Sequence, residues 1–84
     1  MNKNKQIDKM INLSGLICPI PLLKTKEALF NMTQGQVLQV ITTDPASQID
    51  LEVFTRRAGH QILDVKIHLG QFSYLIRHTR RNIE

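Results

Sequence analysis

Along the chain, apolar residues gather in four short runs, with two longer helix-spaced stretches between them. Ile7, Ile11 and Leu13 mark a first strand over residues 7–13, closed by Ser14-Gly15. Cys18-Pro19-Ile20-Pro21 follows. Proline suits the first turn of a helix, where backbone N–H groups lack intrahelical partners in any case. Leu22, Leu23, Lys24, Lys26, Glu27, Ala28 and Leu29 then favour helix. Leu22, Thr25, Ala28, Leu29 and Met32 share one face at helical spacing, and Lys24, Glu27 and Asn31 fall opposite. The pattern predicts a helix end near Thr33-Gln34-Gly35, with the glycine as its stop.

Val37, Val40, Ile41, Thr42 and Thr43 predict a second strand over residues 37–43. Asp44-Pro45-Ala46-Ser47 opens a second helix, and both Asp44 and Ser47 suit its cap. That helix carries Ile49, Leu51, Val53, Phe54 and Ala58 and stops at Gly59. Over residues 62–69, Leu63, Val65, Ile67 and Leu69 point one way, and Asp64, Lys66 and His68 the other. Gly70-Gln71 is predicted as a tight turn, and residues 72–77 return as a fourth strand in a terminal hairpin. The order is β-α-β-α-β-β. Both helices must bury an apolar face, which one side of a single mixed sheet can cover. The expected fold is a two-layer α/β (α+β) sandwich with two helices on one face of a four-stranded sheet. The other sheet face is expected to be more polar and open.

There is no repeat, low-complexity tract or linker, and 84 residues suit one domain, with a core over about 7–77 and basic ends. A hydrophobic share of 42% fits a packed core rather than disorder. The single cysteine excludes an internal disulfide. The polar start Met1-Asn2-Lys3-Asn4-Lys5 leads into no apolar signal core. No apolar run nears the roughly 20 residues that span a bilayer. A cytoplasmic protein with no membrane partner is expected.

The net charge of +4 gathers in Lys3, Lys5 and Lys9, in Arg77, Arg80 and Arg81, and in the pair Arg56-Arg57. Such a balance favours acidic partners, including nucleic acid, although basic ends are commonly just solvated.

Cys18 is the residue whose position carries a mechanism. Most free cysteines behave as small buried hydrophobes, but a thiol between a Gly-Leu-Ile turn and Pro-Ile-Pro stands at a helix start. There the helix dipole and an unpaired N–H favour the nucleophilic thiolate. A dipole effect of about 0.3–1 kcal/mol is under one pK unit. From an ordinary value near 8.5, this predicts a thiol pKa of roughly 7.5–8.5. Pro19 and Pro21 cannot donate, so Ile20 offers the one free N–H of the three. The prolines instead fix the direction in which the sulfur points. A thiol that titrates near ambient pH suits both halves of a sulfur exchange.

Ser14-Gly15-Leu16-Ile17-Cys18-Pro19-Ile20-Pro21-Leu22 resembles the Gly-Leu-x-Cys-Pro-x-Pro signature of the TusA (SirA-like) sulfur carriers. Asp44-Pro45-Ala46 and Tyr74-Leu75-Ile76-Arg77 resemble two further family features, and the likeness covers about residues 7–77. It implies the sandwich above, a persulfide on Cys18, and no metal or organic cofactor. It implies a carrier rather than an enzyme acting alone. Sulfur would come from a cysteine desulfurase or another sulfurtransferase. It would pass to an acceptor protein, toward thiolated tRNA, molybdenum-cofactor enzymes or sulfur oxidation. Family members that thiolate tRNA carry Glu between the prolines and Arg before the cysteine; here these are Ile20 and Ile17, and Asn12 replaces a frequent Asp. Gly15 and Leu16 then form the approach turn, Pro19 and Pro21 hold the helix tip, and Leu16, Ile17, Ile20 and Leu23 form an apolar docking rim.

Leu23 and Phe30 lie one helical heptad apart, off the core stripe. They either pack beside the second helix or extend that rim. His60, His68 and His78 share no metal-ligand spacing with Cys18. The rival reading is an RNA-binding or regulatory interaction module. It would use Arg56, Arg57, Arg77, Arg80 and Arg81 with an open sheet face, and Phe72 and Tyr74 as stacking rings if they are not core residues.

Overall fold

A computed structural model describes residues 7–79. Its elements are β1 (Lys9–Leu13), α1 (Ile20–Phe30), β2 (Val37–Thr42), α2 (Ala46–Ala58), β3 (Gln61–His68) and β4 (Gln71–Arg77). The strands form one sheet in the order β1-β2-β4-β3. The β1–β2 pair is parallel, with α1 as its crossover, and the two pairs made by β4 are antiparallel. The expected β-α-β-α-β-β order and mixed four-stranded sheet are therefore present.

Register decides which residues meet the helices. Leu38 pairs with Ile76, Val40 with Tyr74 and Thr42 with Phe72. All six are buried, so this side of the central strands is the core side. Ala28, Leu29 and Met32 reach it from α1 and the turn after it, and Leu51 from α2. Gln39, Ile41, Ser73 and Leu75 lie on the alternate positions and are only half-buried. There the Gln39 amide donates to Ser73 Oγ at 3.0 Å. This face, expected to be the more polar one, carries Gln39 and Ser73 beside Ile41 and Leu75.

Several local expectations are corrected. α1 stops at Phe30, not near Gly35, because Asn31 and Met32 turn back onto the carbonyls of Ala28 and Leu29. Gly35, at φ +92, instead gives its N–H to His78 O at 2.8 Å, tying the entry of β2 to the exit of β4. α2 is entered through Pro45. Neither cap candidate holds the cap: Pro45 stands there, Asp44 accepts the Ala46 N–H at 3.2 Å from one residue earlier, and Ser47 is buried inside the helix. The buried face of α2 is Ser47, Leu51 and Thr55, at i, i+4 spacing; Ile49 and Val53 are exposed.

The row Leu63, Val65, Ile67, Leu69 is not one core face. β3 is an edge strand with a bulge between Ile62 and Asp64, so Ile62, rather than Leu63, packs on the core. Val65 and Ile67 are exposed beyond the reach of the helices. The hairpin turn is Leu69-Gly70, not Gly70-Gln71. Both take positive φ, 49° and 77°, the backbone that matches the twist of a two-residue hairpin. Leucine adopts that region rarely, and here its side chain stands almost fully in solvent.

At the far end of the sheet, His60 lies between Phe54 and His78, with ring centroids 5.8 and 4.8 Å away. The Thr79 N–H donates to His60 Nδ1 at 3.1 Å, and the Thr79 hydroxyl donates to Gly59 O. Burial holds the His60 pKa below its ordinary value, and the neighbouring His78 adds to this. The unfolded chain therefore binds this proton more readily than the folded one. The His60 contribution to stability is intact above the unfolded value of about 6.5 and declines as pH falls below it. The urea midpoint is expected to fall more steeply between pH 7.5 and 5.5 in the wild type than in His60→Gln. Equal slopes would remove His60 as the cause.

Candidate functional site

Parallel pairing brings the C-terminal ends of β1 and β2 together, with Leu13 opposite Thr42. The loops that leave these strands meet at once, as expected at the carboxyl edge of a parallel pair. The Gly15 N–H donates to Thr43 Oγ1 at 2.8 Å, and the Cys18 N–H donates to Asp44 Oδ2 at 2.7 Å. Gly15 sits at φ +85, where a side chain would be strained, so glycine permits this turn. Ser47 Oγ also donates to Asp44 Oδ2, at 3.3 Å. One carboxylate thus joins the cysteine loop to the first turn of α2.

Cys18 is a free, exposed thiol just before α1. The Cys18–Pro19 peptide bond is cis, Pro19 occupies the N-cap, and Pro21 is buried in the first turn. The Ile20 N–H goes to Ile17 O at 2.9 Å, so the one N–H available at the tip is not turned toward the sulfur. The thiol instead donates to Asp50 Oδ2 at 3.1 Å.

This overturns the predicted lowering of the thiol pKa. The hydrogen bond to Asp50 raises it above the ordinary cysteine value; reduced hydration and the negative charges of Asp50 and Asp44 push the same way. One carboxylate at bonding distance and a second charge nearby outweigh a helix end that offers no donor. Asp50 is the neighbour of the thiol that sequence reasoning missed. It stands 32 positions from Cys18, on a helix whose orientation no local pattern reveals.

Leu16, Ile17, Ile20 and Leu23 are all exposed on the segment that carries Cys18, Ile17 by 70% and Leu23 by 53%. Phe30, 87% exposed, does not pack beside α2. A groove of about 470 Å³ runs between the helices, from Asp50 past Leu22, Val53 and Phe54 to Lys26 and Arg57. Lys26 Nζ lies 5.4 Å from the centre of the Phe54 ring.

Phe72 and Tyr74 are buried in the core, where loss of hydration pushes the Tyr74 phenol up to about 12. Neither offers a ring to a nucleic-acid base. Lys3, Lys5, Arg80 and Arg81 lie outside the described residues; Lys9, Arg56, Arg57 and Arg77 are exposed. Among the described residues no three His, Cys, Asp or Glu side chains form a metal-binding group. None of the described helices is long and apolar enough to cross a membrane.

The family described as Sulfurtransferase TusA matches residues 9–78. A sulfur carrier protein TusA from Allochromatium vinosum is 41% identical over 70 residues, covering 83% of this chain and 92% of that protein. A putative sulfur carrier protein from Neisseria meningitidis is 41% identical over 68 residues, covering 81% of this chain and 92% of its own. The crystal structure of a SirA-like protein from Desulfitobacterium hafniense shares the fold, with a TM-score of 0.75 at 24% identity. The match covers 86% of this chain and 99% of that one. A family match that spans both the cysteine loop and the whole sheet, with relatives at this level of identity, places the chain in the TusA sulfur-carrier family.

Proposed function

We propose that this protein carries sulfur as a persulfide on Cys18. It takes the sulfur from a cysteine desulfurase or another sulfurtransferase and hands it to an acceptor protein in a cytoplasmic relay, such as one that thiolates tRNA. It is a carrier and not an enzyme in its own right. The observation that carries the reading is a single free thiol, exposed at a helix tip and fixed in direction by Pro19, Pro21 and the Asp44 link.

In the loading step Cys18 Sγ attacks the sulfane sulfur of a donor persulfide. The donor S–S bond breaks, the new S–S bond forms on Cys18, and the donor leaves as a thiolate that takes up the proton Cys18 has released. No net oxidation occurs. Unloading is the same exchange with an acceptor thiol attacking the outer sulfur. The exposed Leu16, Ile17, Ile20 and Leu23 supply apolar area around the thiol for a partner to cover.

The test is the intact mass of the protein after incubation with a cysteine desulfurase and cysteine. The expected result is a gain of one sulfur atom, reversed by reductant and blocked when Cys18 is alkylated beforehand. No gain with that donor, and none with a thiosulfate sulfurtransferase, would overturn the reading.

A further inference from the structure

Two carboxylates bound the thiol. Asp44, on the loop after β2, accepts the Cys18 N–H at 2.7 Å; Asp50, on α2, accepts the thiol proton at 3.1 Å. Asp50 is half-buried, and the helix that bears it is held on the core by its neighbour Leu51. Its backbone is therefore anchored beside the thiol. Lys26 and Arg57 line the same groove as Asp50 but are not among the charges that act on the thiol. The immediate field at Cys18 is negative, although the chain as a whole carries +4.

We propose that Asp50 is a specificity-determining residue, which holds the thiol proton of Cys18 in the free protein and favours sulfur donors that bring a positive charge to the site. The proposal rests on the carrier reading above. A cation paired with Asp50 cancels its field and competes for the oxygen that holds the thiol proton. Cys18 then ionises, Sγ attacks the donor sulfur, the donor S–S bond breaks, and the departing thiolate takes up the released proton. A neutral or anionic disulfide gains no such help. An exposed thiol in a thiol-rich compartment is thereby kept from indiscriminate exchange, since the thiolate is the reacting form.

The test compares reduced wild type with Asp50→Asn, which removes the charge and keeps the shape. The first readout is the rate of alkylation by the uncharged reagent iodoacetamide across pH. Without the charge, the alkylation midpoint is expected to move to lower pH, and alkylation at pH 7 to be about 3–10-fold faster. The second readout is the ratio of exchange rates with cystamine, a cationic disulfide, and dithiodiglycolate, an anionic one. That ratio is expected to exceed one in the wild type, to shrink several-fold in Asp50→Asn, and to shrink in the wild type as salt is raised. The salt arm needs no variant, so the proposal remains testable if Asp50→Asn folds poorly. An unchanged alkylation profile, or a ratio indifferent to both charge removal and salt, overturns it. The two failures are distinguishable. Sulfur loading with an unchanged alkylation profile sinks this proposal alone; a shifted profile without loading sinks the carrier reading and the donor preference with it, leaving only the effect of Asp50 on the thiol.

Discussion

A Cys18→Ser variant is expected to keep its fold and take up no sulfur. Cys18 is exposed and belongs to no part of the core, so the substitution leaves no cavity. A serine hydroxyl can still donate to Asp50, and the backbone link from residue 18 to Asp44 does not involve the side chain. The stability change should stay within about 0.5 kcal/mol. Loading, by contrast, should fall from one sulfur to none, because a hydroxyl oxygen does not undergo thiol–persulfide exchange. Intact mass and a urea midpoint on the same sample check both halves. Sulfur bound covalently to the variant would remove Cys18 from the mechanism. A collapsed midpoint would mean that the cysteine is structural.

Leu51→Ala is expected to cost about 2–5 kcal/mol, the usual range for emptying a fully buried leucine site. Leu51 is completely buried in the cluster that joins both helices to Leu38, Val40, Tyr74 and Ile76. A domain of this size has a total stability of about 5–15 kcal/mol, so the change removes much of the margin. The urea midpoint should drop with little change in slope. The effect extends to the site, because Leu51 seats the helix that delivers Asp50 to the thiol. A loss below about 1 kcal/mol would mean that the core closes over the gap.

Much of this was legible in the sequence, and the remainder has identifiable causes. The six elements follow from local periodicity and from Gly and Pro punctuation. The stripe Leu22, Thr25, Ala28, Leu29 and Met32 faces inward as its spacing predicts. Boundaries drifted where two stops compete, as between Asn31 and Gly35. The alternation in β3 misled because a bulge shifts its register, and because an edge strand extends past the helices that would cover it. The candidate thiol was evident from Cys-Pro-x-Pro. Its electrostatics were not, since they depend on which way α2 faces. Asp44 carried a usable signal. An Asp-Pro directly after the second strand must lie beside the loop after the first whenever the two strands are parallel. Asp50 carried none, because one acidic residue in a helix looks like any solvated one.

The exposed edge at β3 has a consequence for behaviour at high concentration. Among the described residues no further strand pairs with its outer side, and Val65 and Ile67 add apolar side chains to it. An open strand of this kind is a template on which a second chain can add. The bulge at residues 62–64 breaks the straight ladder such an addition needs, and the exposed Lys66 places a charge between the two apolar residues. Both are recognised means of blunting edge-to-edge aggregation. Without them, the chain would carry a flat, sticky margin of its own.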